Sequence, residues 1–153
     1  MIIKDKFKLK KPCESVSSVE EGEEIAVKLL KELTDSKSGI GLAANQIGIN
    51  KRVCVVNVKE PVVLINPTIL ELTDDILYNE SCLSFPNKTV RTKRSRLVTV
   101  ETDNVGRVVF GSDDHDDSLL ESVCVQHEID HLDGITMFDR KFRLEPIKSK
   151  KKF

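Results

Sequence analysis

Two histidines four residues apart, with a glutamate directly after the first, stand in His127-Glu128-Ile129-Asp130-His131. On a helix, residues at that spacing are neighbours, about 5–6 Å between Cβ atoms. His127 and His131 can then hold one ion while Glu128 stands beside it as a base. Three fixed letters in five also arise in helices that bind nothing. The flanks argue for a site: Leu120, Val123, His127 and His131 share one stripe, with Val123 and Ile129 apolar beside the histidines. A buried neutral histidine needs partners for its ring nitrogens, and a metal satisfies such a pair most simply.

A catalytic ion usually takes three protein ligands and a water. Cys124 shares the helix face, but from 124 to 131 the helix rises about 10.5 Å, too far for both ends to reach one ion with His127 between. No histidine follows Gly134, and Glu145 is the one glutamate there. Cys82, in the small and polar stretch Asn79-Glu80-Ser81-Cys82-Leu83-Ser84-Phe85-Pro86, is the best candidate, with Glu145 as the alternative. That stretch reads as a loop that could expose a thiolate to a cleft. His115, in the acidic run 113–117, is left out of the site, because the run reads as a solvated helix start.

The elements that must position these groups follow from pattern. Ser118 with Glu121 forms a capping box, so the metal-bearing helix should run from about Leu119 to Asp133 and stop at Gly134. Ser18 with Glu21 starts an earlier helix, whose Ile25, Ala26, Leu29, Leu30 and Leu33 form one apolar face. Before it, the basic segment to Cys13 reads as an extended lead-in. Gly39 to Gly48 is rich in small residues, which lets the backbone approach another group closely. It lacks the second half of a dinucleotide fingerprint. The Gln46 amide, among apolar neighbours, needs a partner.

Residues 52–58 and 61–67 read as strands, and 68–78 as further short strands around Thr73-Asp74-Asp75. Leu97 to Glu101 and Arg107 to Phe110 form a hairpin across Asp103-Asn104-Val105-Gly106. Arg91, Lys93, Arg94 and Arg96 read as a solvated sheet edge. A short helix is expected near Phe138 to Leu144, and a basic disordered tail over 148–153.

The chain of 153 residues is one domain by size, here 1–147. Its 32% charged and 39% hydrophobic residues describe an ordinary globular protein, and a net charge of -1 argues against nucleic-acid readout. No apolar run approaches membrane-span length, and the start lacks a signal-peptide core. Cys13, Cys54, Cys82 and Cys124 are scattered with no C-x-x-C pair, as expected of reduced thiols in a cytoplasmic monomer.

Three stretches together resemble peptide deformylase: GIGLAANQ at Gly39 to Gln46, ESCLS at Glu80 to Ser84, and QHEIDHLDG at Gln126 to Gly134. They stand in the family's order, and the resemblance covers roughly Leu9 to Arg143. It implies an α+β fold, antiparallel sheets packed around a central metal-bearing helix with an N-terminal helix. The implied reaction removes the N-formyl group from the formyl-methionine of nascent peptides and releases formate. By position, Cys82, His127 and His131 would be the ligands of one divalent ion, natively Fe(II), with Zn or Ni also able to bind. Glu128 would move the proton, and the Gln46 side-chain amide and Leu83 N–H would serve the developing oxyanion. Ile40 and Gly41 would meet an extended peptide, and Glu80, Leu120, Val123 and Cys124 would lie near the methionine side chain. N-formylmethionyl peptides, and transiently the ribosome, are the implied partners.

Two departures stand out. Ser81 occupies the family's usual glycine, and Thr89 stands near the place of a basic residue common after the cysteine motif. The competing readings are a zinc peptidase and a non-catalytic metal or peptide-binding module.

Overall fold

A computed structural model describes residues 1–143. Glu145, the end of the short helix expected to Leu144 and the basic tail at 148–153 lie outside the described residues. Among those described, no helix is long and apolar enough to cross a membrane.

The lead-in is not wholly extended. Asp5 caps a single turn, α1 (Lys6–Leu9), by accepting from the Phe7 N–H at 2.9 Å, and the turn buries Leu9 completely. Helix α2 (Val19–Ser36) starts where the capping box places it: Ser18 Oγ accepts from the Glu21 N–H at 3.1 Å. The return contact goes one residue further back, from the Ser17 N–H to Glu21 at 3.0 Å.

Two three-stranded antiparallel sheets follow. The first is β1 (Gly41–Ala43), β2 (Val53–Asn57) and β3 (Pro61–Ile65), in that order. Alternation along β2 divides the core. Val53 and Val55 pack with Ile25, Leu29 and Leu33 of α2, while Cys54 and Val56 face Val125 and Ile129. The second sheet is β4 (Thr68–Cys82), β5 (Phe85–Thr102) and β6 (Gly106–Phe110).

Strand β4 corrects two expectations. The short strands around Asp74 are one 15-residue strand that keeps its pairing by letting Asp74 take φ 67. The expected loop 79–86 is the end of a long hairpin, with Cys82 opposite Phe85 and only Leu83 and Ser84 turning the chain. Pairing persists because Pro86 lies near the first residue of β5, where a missing N–H costs little.

Helix α3 (Asp116–Leu132) runs between the sheets and contacts both. Thirteen of its 17 residues are buried, so its polar side chains must find partners within the protein. It begins three residues before the expected start. Ser118 is not its N-cap but sits inside the first turn, where its hydroxyl meets Lys59. Gly134 ends it at φ +76, where a Cβ would fall 2.4 Å from the Lys10 carbonyl oxygen. Met137–Arg140 is a single 3₁₀ turn, shorter than the expected helix.

Candidate metal centre

Helix α3 turns both imidazoles toward the end of β4. His127 Nε2 and His131 Nε2 lie 3.2 Å apart, and Cys82 Sγ is 3.4 Å from His131 Nε2. All three donor atoms lie within 4.8 Å of one another. One tetrahedral ion with bonds of about 2.05 Å to nitrogen and 2.3 Å to sulfur requires separations of about 3.3 and 3.6 Å. The donor set fits such an ion in chemistry and in spacing. Cys124, weighed as a ligand, is not in this cluster, and His115 sits at the exposed start of α3.

The two histidines are held differently. His127 Nδ1–H donates to Glu80 Oε1 at 2.8 Å, which leaves the Nε2 lone pair facing the cluster. His131 Nδ1 has no partner among the described residues, and its main-chain carbonyl accepts from Asn45 Nδ2 at 2.6 Å. Burial would lower the His127 pKa, but Glu128, Cys82 and Glu80 outweigh it and hold it well above the ordinary value. The same negative field favours a bound cation. His131 goes well below the ordinary value through burial, with the charges of His127 and Arg94 adding to it.

Glu128 has what a proton carrier needs. Burial raises its pKa to about 7 against the opposing pull of His127. One carboxylate oxygen has no hydrogen-bond partner among the described residues, and the other has only the Cys124 thiol, at 3.9 Å. A carboxyl near neutrality can take and return a proton.

The small residues before it explain the approach. A Cβ on Gly41 would fall 2.5 Å from Cys124 Sγ and 2.6 Å from Glu128 Oε2, so β1 lies against α3 only because residue 41 has no side chain. Gln46 follows in the 3₁₀ turn Ala44–Ile47 and is 1% exposed. Its Oε1 accepts from the Ala43 N–H at 2.9 Å, and its Nε2 donates to Ser84 Oγ at 3.0 Å and reaches toward Cys82 Sγ at 3.6 Å.

These groups face a cleft of about 530 Å³ between β1 and the β4–β5 turn. Ile40, Gly41, Gln46 and Leu83 line it with Cys82, His127 and Glu128, and Leu120, Val123 and Cys124 form part of its wall. Ser81 lies at the same wall. Glu80 also borders the cleft, but its carboxylate is engaged with His127 and Arg94 rather than free for a substrate side chain.

Arg94 was expected on a solvated edge and is 5% exposed. Its Nε and Nη2 donate to Glu80 at 2.5 and 2.9 Å, and its Nη1 donates to Asp130 at 2.5 Å. Arg140 closes the chain on Asp130 at 3.0 and 3.1 Å, and Thr92 donates to Glu80. Burial works to raise the Glu80 pKa, yet Arg94 and His127 hold it at about 2. Arg94, Asp130, Arg140 and Ser84 are site residues that the sequence reading missed. One signal for Arg94 was available: it continues the parity of Val90 and Thr92, while Arg91 and Lys93 take the outward positions.

A family model described as polypeptide deformylase matches residues 1–150. The peptide deformylase of Agrobacterium fabrum is 42% identical over 136 residues, covering 84% of this chain and 78% of that protein. The crystal structure of peptide deformylase from Plasmodium falciparum superimposes with a TM-score of 0.81 at 26% identity, over 94% of this chain and 87% of that one. The Acinetobacter baumannii peptide deformylase bound to Met-Ala-Ser gives a TM-score of 0.79 at 28% identity, over 92% and 96%.

Proposed function

The chain belongs to the peptide deformylase family, whose members remove the N-formyl group from nascent peptides, and we propose how its own residues carry that reaction. Cys82, His127 and His131 would hold the metal on which the family depends. The observation that supports this most directly is the convergence of their donor atoms within 4.8 Å at the cleft. A divalent ion held there would supply Lewis acidity, lowering the pKa of a bound water to about 7.

Glu128 accepts the proton of the attacking water and passes it to the leaving amine nitrogen. The second N–H of Gln46 Nε2 and the Leu83 N–H donate to the formyl oxygen as charge develops on it. Glu80 keeps His127 in the tautomer that presents Nε2. Ile40 and Gly41 lie along an edge strand, which suits addition of an extended peptide by backbone pairing. Leu120, Val123 and Cys124 supply apolar wall for a methionine side chain.

Fe(II) is the native ion carried over from the family resemblance, and zinc or nickel suits the same nitrogen and sulfur donors. The enzyme works as a cytoplasmic monomer on N-formylmethionyl peptides as they leave the ribosome, which it meets transiently. The decisive assay is formate release from formyl-Met-Ala-Ser by anaerobically prepared protein with its metal content measured. Stoichiometric metal with no formate would refute the reading. Cys82→Ala should weaken metal binding, and unchanged affinity would return the third ligand to Glu145 or Cys124.

A further inference from the structure

The geometry points to Ser84 as a positioning residue that fixes the Gln46 amide for the reaction, an assignment that rests on the proposed role of Gln46 as oxyanion donor. The Ala43 N–H can only donate, so the Gln46 atom 2.9 Å from it must be the carbonyl oxygen. That settles which end of the amide is the nitrogen. Nε2 has two hydrogens and no lone pair to accept with. One hydrogen goes to Ser84 Oγ at 3.0 Å, and the other points toward Cys82 Sγ at 3.6 Å, on the metal side.

The Ser84 contact does more than satisfy a buried polar group. Held at Oε1 alone, the amide could swing about its last torsion, which has no sharp preference. A second tether on Nε2 removes that freedom and leaves one N–H aimed at the position where charge develops. Ser84 itself is 1% exposed and does not border the cleft, so it cannot touch a substrate, and its influence must pass through Gln46. The β4–β5 turn places Cys82, Leu83 and Ser84 in succession. A metal donor, a cleft-lining backbone group and the tether of the second oxyanion donor thus sit on three consecutive residues.

A double-mutant cycle with Gln46→Met tests this in the metal-loaded enzyme. Ser84→Ala should lower kcat by about tenfold, the scale of one hydrogen bond lost at the moment of reaction, with KM and bound metal unchanged. In the Gln46→Met background the same change should cost less than about twofold. Equal losses in both backgrounds would make Ser84 a structural residue of the turn and overturn the proposal. A large loss in Gln46→Met with none in Ser84→Ala would also overturn it, leaving the Gln46 role intact. An undiminished kcat in Gln46→Met would instead remove Gln46 as donor.

A second measurement does not depend on turnover. In the zinc-loaded protein, the side-chain amide resonances absent from Gln46→Met should exchange slowly with solvent and exchange faster in Ser84→Ala. Unchanged exchange would overturn the assignment.

Discussion

Replacing Arg94 by methionine should destabilise the metal-free protein by about 3 kcal/mol and loosen the metal site at the same time. Arg94 is 5% exposed and gives three hydrogen bonds to two buried carboxylates. Removing one partner of a buried ion pair costs roughly 3–5 kcal/mol, mostly because the remaining charge is left uncompensated. The lower end applies, since Asp130 keeps Arg140 and Glu80 keeps Thr92 and His127. For a chain of this size each kcal/mol lowers the melting temperature by roughly 2–4 °C, so a fall of about 10 °C is expected.

The effect on the metal follows from Glu80. Without the guanidinium the Glu80 pKa rises, because burial is then opposed by His127 and the Thr92 hydroxyl without the full positive charge of Arg94. The negative charge behind His127 Nδ1–H is weakened, and loss of such a partner typically costs about 10–100-fold in metal affinity. Thermal melts should be run on metal-free protein, so that binding does not feed into stability. Affinity should be measured separately by chelator competition with zinc. An Arg94→Met protein with unchanged melting temperature and zinc affinity would refute the argument. Adding Glu80→Gln should recover part of the lost stability by removing the stranded charge, whereas strict additivity would mean that the two residues do not act as a pair.

Glu128→Gln should retain the metal and lose about 10²–10⁴-fold in kcat, and a variant of ordinary activity would remove Glu128 from proton transfer. Gly41→Ala should lower stability by about 1–3 kcal/mol and reduce turnover, since its Cβ would meet Cys124 Sγ at 2.5 Å and displace the Glu128 carboxylate at 2.6 Å. An equally stable and active Gly41→Ala enzyme would refute that close approach. The Glu80 pKa is depressed from 4.5 to about 2. Its contribution is therefore fully present above pH 4.5 and lost as pH falls through 2. At 1.36 kcal/mol per unit this is on the order of 3 kcal/mol, and denaturant titrations between pH 5 and 2 should show that slope diminished in Glu80→Gln.

The helix and its histidines were legible because their information is local: four-residue spacing, a terminal glycine and an apolar stripe all lie within one segment. Cys82 was reachable by elimination and by the resemblance, but its setting was misread. Small and polar residues with a proline look like a loop, whereas cross-strand pairing with β5 continues to Cys82 opposite Phe85 and leaves a turn of only two residues. The same nonlocal pairing hid Arg94. Judged by composition, four basic residues at 91, 93, 94 and 96 form a solvated edge. Judged by parity against Val90, Arg94 points inward to two carboxylates supplied by β4 and α3. The helical turn at Lys6–Leu9 was missed for a related reason, since one Asp cap and one buried Leu9 suffice once the 3₁₀ turn Ala44–Ile47 provides a surface, as in the Ile3 N–H bond to the Gln46 carbonyl at 2.6 Å.

The proposed ligand set would also divide the protein's control over its metal. His127 is tuned through its ring: Glu80 backs its Nδ1, and Arg94 links Glu80 to Asp130, one turn along the same helix from His127. His131 is instead fixed through its backbone by Asn45, with a ring nitrogen left unpaired among the described residues. Cys82 arrives as the last residue of β4, just before a two-residue turn. Changes in the Glu80 chain should therefore alter the basicity of one ligand, and changes at Asn45 should alter the placement of another. An ion held by all three donors would tie α3 to the end of β4, so that metal binding would contribute to folding as well as to chemistry. The buried polar groups of this helix from Ser122 to His131 thus divide in two: His127, Glu128, Asp130 and His131 belong to the proposed centre or its support, whereas Ser122 and Gln126 bond the β5 backbone at Arg96 and Ser95 and pin the helix to the sheet.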